Sequence, residues 1–230
     1  MTRAILGKDL AVLWASPVPY VGGAALQAVL GILVVDQLQA RSQAVLQPLF
    51  PVAGLLLLLL IPLLTMRAFA EEARTGTLDL LLAVPVAARP LVVGKWLASW
   101  LTALVLLAPA LLLAALVALW GDPDLGPVLT GFLGLALLAG SVAALGTLTS
   151  ALTSSQSVAA TTAAFLALAL WFGGGVGSGA RTALSRASLG ERLRLFSSGA
   201  IDTGDLAFFA CLAAGCLVLA VTAVDARRLR

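Results

Sequence analysis

Histidine is absent from the 230 residues, and Asp, Glu, Lys and Arg together supply only 11% of them. Without an imidazole the chain has no His to ligate a metal or haem, and none to act as a general base near neutral pH. Cysteine is nearly as scarce. Cys211 and Cys216 fall five residues apart in one apolar run, and on a helix that spacing turns their side chains in different directions, so a disulfide between them would require unwinding. They read as small apolar packing residues. The scarcity of charge, against about 25% in an ordinary soluble domain, excludes a soluble core as the main architecture.

What replaces charge is apolar bulk: 61% of residues are hydrophobic and the mean hydropathy is +1.07. These residues lie in runs of about twenty, the number that crosses the hydrocarbon layer of a bilayer as a helix. The net charge of +3 and pI near 9.4 raise nucleic acid as a partner. Lys and Arg sit instead at the ends of apolar runs, where a membrane protein keeps them, and no basic stripe interleaves with aromatics, so the reading is a lipid membrane and no nucleic acid.

Six spans are expected, at roughly 18–39, 48–69, 96–120, 127–150, 156–176 and 205–224. "GDPDLGP" after Trp120 is a tight turn, and "TSSQS" from Thr153 to Ser157 a weaker break. No cleavable signal peptide is expected, because Arg3 and Lys8 precede the first run without a small-residue cleavage site and more spans follow. With the N-terminus inside, Arg3, Lys8, Arg67, Arg74, Arg89, Lys95, Arg227, Arg228 and Arg230 are cytoplasmic, against Arg41, Arg181, Arg186, Arg192 and Arg194 outside. The bias places both termini in the cytoplasm and the chain in the cytoplasmic (inner) membrane. Residues 1–16 read as an amphipathic helix at the inner interface, with Leu6, Leu10 and Leu13 on one face, Trp14 at its edge, Lys8 opposite, and Asp9 marring the polar side. Residues 178–204 form an extracytoplasmic segment, amphipathic through Leu189, Leu193 and Phe196, that lies in the interface or re-enters the protein. The whole chain, 1–230, reads as a single all-α transmembrane domain.

One stretch gathers charge. Arg67, Glu71, Glu72, Arg74, Asp79, Arg89 and Lys95 lie between the second and third spans, in a cytoplasmic loop over 71–95. The second span continues as helix through "LLTMRAFAEEAR" until Gly76 lets the chain turn. Thr77 can cap "LDLLLAV", Asp79 complements the helix dipole, and Pro85 stops it. A short helix bearing Leu78, Leu81 and Leu82 is thus held between two spans, a shape that can press into a groove on a soluble partner; a loop that merely obeys the charge rule is the plainer alternative.

The stretch Ile61 to Trp100 resembles the corresponding region of ABC-2-type transporter permeases, particularly the gliding-motility-associated and copper-processing types. The resemblance rests on Met66, Arg67, Glu71, Glu72, Gly76, Thr77, Leu78, Leu81, Leu82, Pro85, Gly94 and Lys95, with support from "SSQ" at Ser154 to Gln156 and "FSSGAIDTGD" before the last span. It implies a six-helix, type V exporter-like transmembrane domain, paired with a second permease copy or paralogue. It also implies a separate ABC ATP-binding subunit coupled through Glu71, Glu72, Arg74, Gly76, Thr77, Leu78, Leu81, Leu82 and Pro85. The chain contains no G-x-x-x-x-G-K-[ST], so it is not expected to be an enzyme or to hold a cofactor, with ATP bound by the partner. The glycines of "GGGVGSG" (Gly173 to Gly179) lack a Lys and read as an outer turn.

Gln27, the strongly polar side chain deepest within a span, is a candidate for the translocation path. The small-residue patches Gly22–Ala28 and Gly140–Ala151 could pack two copies together or helices within one. Two other readings share the six-span plan: a haem-export-type or assembly scaffold subunit, and an ion-driven secondary carrier. The carrier is disfavoured because no acidic or basic residue falls mid-span.

Overall fold

The computed structural model describes residues 2–41, 46–76, 87–120, 124–173 and 188–228. Every regular element among them is an α-helix: α1 (Thr2–Ala15), α2 (Val18–Arg41), α3 (Leu49–Thr65), α4 (Arg67–Thr75), α5 (Ala88–Trp120), α6 (Leu125–Leu152), α7 (Gln156–Phe172), α8 (Leu189–Ser197) and α9 (Thr203–Arg228). Five stretches are long and apolar enough to cross a membrane: Val18–Gln37, Leu49–Thr75, Ala88–Ala118, Gly126–Leu152 and Thr203–Arg227. The fifth expected span, at 156–176, is α7, which is shorter at 17 residues. The molecule is a multi-pass membrane protein.

The third span starts earlier than the sequence reading placed it. Pro90 lies within the stretch expected as loop, but in a helix beginning at Ala88 it falls in the first turn, where its missing N–H costs nothing. The loop expected over 71–95 is therefore shorter: α4 runs to Thr75 and α5 begins at Ala88.

Small residues let the helices close on each other. α6 is the hub, packing on α3, α4, α5, α7, α8 and α9. Its span is 61% buried, as is that of Leu49–Thr75, against 22% for α9, so α3 and α6 are the axis and α9 a flank. A Cβ on Gly131 would lie 2.5 Å from the Phe50 ring, and one on Gly146 2.1 Å from Thr65 Oγ1; neither site has room for a side chain. Ala159, Ala163 and Ala167 give α7 a buried stripe of the same kind.

Hydroxyl and indole groups stitch these contacts to the backbone. Ser141 Oγ donates to the Phe209 carbonyl at 3.1 Å, Trp96 Nε1 to Gly140 at 2.8 Å and Trp100 Nε1 to Ala136 at 2.9 Å. Both small-residue patches are thus used inside the chain. Gly22 and Gly23 face Leu60 and Leu106, and Gly140 faces Trp100.

At the end away from the N-terminus, Ser188 caps α8. Its Oγ accepts from Glu191 N at 3.5 Å and donates to the Trp171 carbonyl at 2.8 Å. Leu189, Leu193 and Phe196 are 0–1% exposed, so the apolar face of α8 points into the bundle. Of the segment 178–204, residues 178–187 lie outside the described residues.

Candidate functional site

The site is built where α3 gives way to α4. Thr65 Oγ1 bonds back to the carbonyl of Ile61 at 3.1 Å, an arrangement that bends helices, and the helix is interrupted at Met66. α4 then starts without a side-chain cap from Met66. Ser150 of α6 supplies one in trans: its Oγ accepts from the N–H groups of Phe69 and Ala70 at 3.0 and 3.1 Å and donates to the Met66 carbonyl at 3.1 Å. One hydroxyl thereby accepts from two N–H groups of the helix's first turn and pins α4 to the hub helix.

α4 places Glu71 and Glu72 half-buried and Arg74 exposed, and ends at Gly76, whose φ of 72° lies in the left-handed region that a terminating glycine favours. The other residues expected to couple, Thr77, Leu78, Leu81, Leu82 and Pro85, lie outside the described residues.

Glu72 meets charges from two other helices. Its Oε1 accepts from Lys95 Nζ of α5 at 2.9 Å and lies 3.5 Å from Lys8 Nζ of α1. Lys95, only 4% exposed, also lies 3.6 Å from Asp9 Oδ2 of α1 and 5.2 Å from the centre of the Phe69 ring. A buried ammonium is tolerable only with such partners. Burial pushes the Asp9 carboxyl above its ordinary value; Glu72 adds to the rise, while Lys95 and Lys8 oppose it without overcoming it. Beside this cluster lies a cavity of about 260 Å³, walled by Val12 and Leu13 of α1, Ala68, Glu71 and Thr75 of α4, and Ala98 of α5. Arg67 and Glu71 make a long i,i+4 pair at its edge, at 4.0 Å.

The sequence reading missed the part Asp9 plays. It shares the inward face of α1 with Leu6, Leu10 and Leu13, facing protein instead of marring a solvated side. The available signal was the position itself: a carboxylate in an apolar stripe needs a cation opposite. Lys95 entered as a charge of the loop and through the resemblance, and Ser150 only as a member of the small-residue patch Gly140–Ala151.

Gln27 stands elsewhere, on α2. Its Nε2 donates to the Leu106 carbonyl at 2.8 Å, while Oε1 is buried without a hydrogen-bond partner. It lines a groove of about 760 Å³ between α2 and α5, along with Ile32, Val35, Asp36 and Leu116.

Long apolar helices around a small-residue axis, with a charged rod at one end, define an all-α, multi-pass membrane protein. The family profile described as ABC-2 family transporter protein matches residues 31–195. The chain belongs to that family, and is the membrane-spanning permease component of an ABC transporter rather than a catalytic domain. Such permeases work in a membrane with an ATP-binding subunit. No curated protein matches the chain.

Proposed function

We propose that the chain is the permease of an ABC exporter, driven by a separate ATP-binding subunit that docks on the loop between α4 and α5. The observation that carries this reading is the pinning of α4 by Ser150. A push on the loop past Gly76 has a stiff element to act on, and α4 is joined directly to α3 and α6, the two most buried helices. Leu78, Leu81 and Leu82 would fill a socket on the partner, while Glu71, Glu72 and Arg74 set the pose of the loop's root. For the push to do work, the socket has to fit one membrane conformation better than the other.

Described residues at the end holding α1 and α4 include Arg3, Lys8, Arg67, Arg74, Arg89, Lys95 and Arg227, and the other end has Arg41, Arg192 and Arg194. This imbalance supports cytoplasmic termini and a loop facing the energy source. Two copies, or this chain and a paralogue, would enclose the path, to which the Gln27 groove is a candidate contributor. Export is favoured by family analogy alone.

The test is to co-purify the chain with an ATPase bearing a Walker A motif, then replace Leu81 and Leu82 with Glu. Loss of the permease's stimulation of ATP hydrolysis is expected, and unchanged stimulation would remove the docking reading. A substrate that stimulates hydrolysis further separates a transporter from a scaffold.

A further inference from the structure

We propose that Lys95 is a positioning residue that makes α1 part of the coupling element, by holding Asp9 of α1 and Glu72 of α4 at once so that the two helices move as one body. The proposal rests on the coupling role given above to the loop that follows α4, and concerns a helix outside the matched residues 31–195.

Among the described residues, the charged contacts are what join α1 to α4 across the cavity. α1 contains no fully buried residue, and its main packing is on α5, where Ile5 closes over Gly94: a Cβ there would lie 3.0 Å from Ile5 Cγ2. That close approach, one residue before Lys95, brings Asp9 within reach of the ammonium. Between α1 and α4 lies the cavity, with Val12 and Leu13 on one wall and Ala68 and Thr75 on the other. The two helices are thus separated by space and bridged by charge, through Asp9 to Lys95 to Glu72 and through Lys8 to Glu72.

The bridge is poorly explained as a source of stability. Burial, with Glu72 beside it, penalises the charged form of Asp9 by more than Lys95 and Lys8 together restore, and buried ion pairs often contribute less to stability than apolar residues of the same volume. What an ion pair of this geometry does supply is a fixed relative position.

The experiment uses the full chain in lipid nanodiscs with Cys211→Ala and Cys216→Ala, and spin labels at Ala11→Cys and Arg74→Cys, two exposed sites on α1 and α4. Pulsed dipolar spectroscopy should give one narrow distance, broadened and lengthened by Lys95→Met and preserved by Lys95→Arg. Should Lys95→Met fail to fold, Asp9→Asn provides the same reading, because it removes a charge that burial already disfavours. Broadening in Asp9→Asn supports the proposal. A narrow, unshifted distance in Asp9→Asn, or in a folded Lys95→Met, overturns it. ATPase stimulation in the unlabelled complex separates the two ideas: broadening together with unaltered stimulation by the Leu81→Glu, Leu82→Glu chain would keep the tie between helices and remove the docking reading.

Discussion

At the α8 end of the bundle, Arg192 pairs with Asp205 and lies 4.0 Å from the centre of the Phe208 ring; at the α1 end, Lys95 pairs with Glu72 and lies 5.2 Å from that of Phe69. Each pairing sets a cation between a carboxylate and an aromatic face, which partly replaces lost hydration. The surroundings differ. Around Arg192, α8 is packed closely on α6 and α7: Leu193 and Phe196 press on Gly134, Trp171 covers Gly190, and Thr130 Oγ1 donates to the Phe196 carbonyl at 2.6 Å. Around Lys95 there is a cavity and a helix without a fully buried residue. The same chemical device therefore adds to a lock at one end and forms a joint at the other. Joints belong where movement is transmitted, since helices packed to interior density have little freedom to shift.

The largest effect that bears on this contrast comes from emptying the lock. Phe196→Ala, at a site with no exposure and glycine on the facing helix, should cost about 3–5 kcal/mol, the usual range for deleting a buried aromatic ring. Leu10→Ala on the half-buried face of α1 should cost a small fraction of that. Thermal unfolding of both variants in one detergent, followed by the loss of the monodisperse peak in size-exclusion chromatography, measures the ratio. Similar losses would mean that α1 is packed as firmly as α8, and the contrast would fail.

Ser150→Ala comes next. It orphans the N–H groups of Phe69 and Ala70 together with the carbonyl of Met66, and leaving buried donors unsatisfied costs about 1–3 kcal/mol. Because those donors open α4, the effect should be local as well as global. Amide exchange should quicken across Arg67–Thr75 before it quickens in α8. Uniform exchange would show that α4 takes its order from α3 and not from the hydroxyl.

Much of this architecture is legible in the chain because apolar runs of about twenty residues have one common solution in a bilayer. Gly76 as a helix terminus and Leu189, Leu193 and Phe196 as one face were readable from local chemistry and a period of 3.6. The start of α5 was misplaced because the charges up to Lys95 read as loop until the helix start is known, and only then is Pro90 a first-turn residue. The roles of Ser150 and Asp9 were incomplete in the sequence for another reason: each is fixed by a partner on a helix remote in sequence. Ser150 sits in "TLTSALTSS", where a hydroxyl is unremarkable, and becomes a cap only because α3 is interrupted 84 residues away at Met66. A helical wheel drawn for α1 against lipid makes Asp9 a blemish. Drawn against α5, it is the residue that meets Lys95. The leucines of residues 77–86 remain a reading of sequence and resemblance.

The smallest expected effect on stability, and the one that most sharpens the contrast, concerns the sign of the Asp9 charge. Burial raises its pKa in the folded protein above the ordinary 3.8, against the attraction of Lys95 and Lys8 and with the help of Glu72; Glu71 and Arg67 face the same cavity from α4. A folded state that holds a proton more tightly than the unfolded chain gains stability from it. That contribution is complete below the unfolded value and is lost as pH rises through the folded one. Asp9→Asn cannot titrate, so its melting temperature relative to the unsubstituted protein should climb as pH is raised from 3.8 towards neutrality. The deficit of Phe196→Ala, which has no titrating group to lose, should stay level over the same range. A difference for Asp9→Asn that falls with pH would mean that the pull of Lys95 exceeds the cost of burial. Asp9 would then be a fastening that stabilises the fold, and the joint at the α1 end would be a second lock.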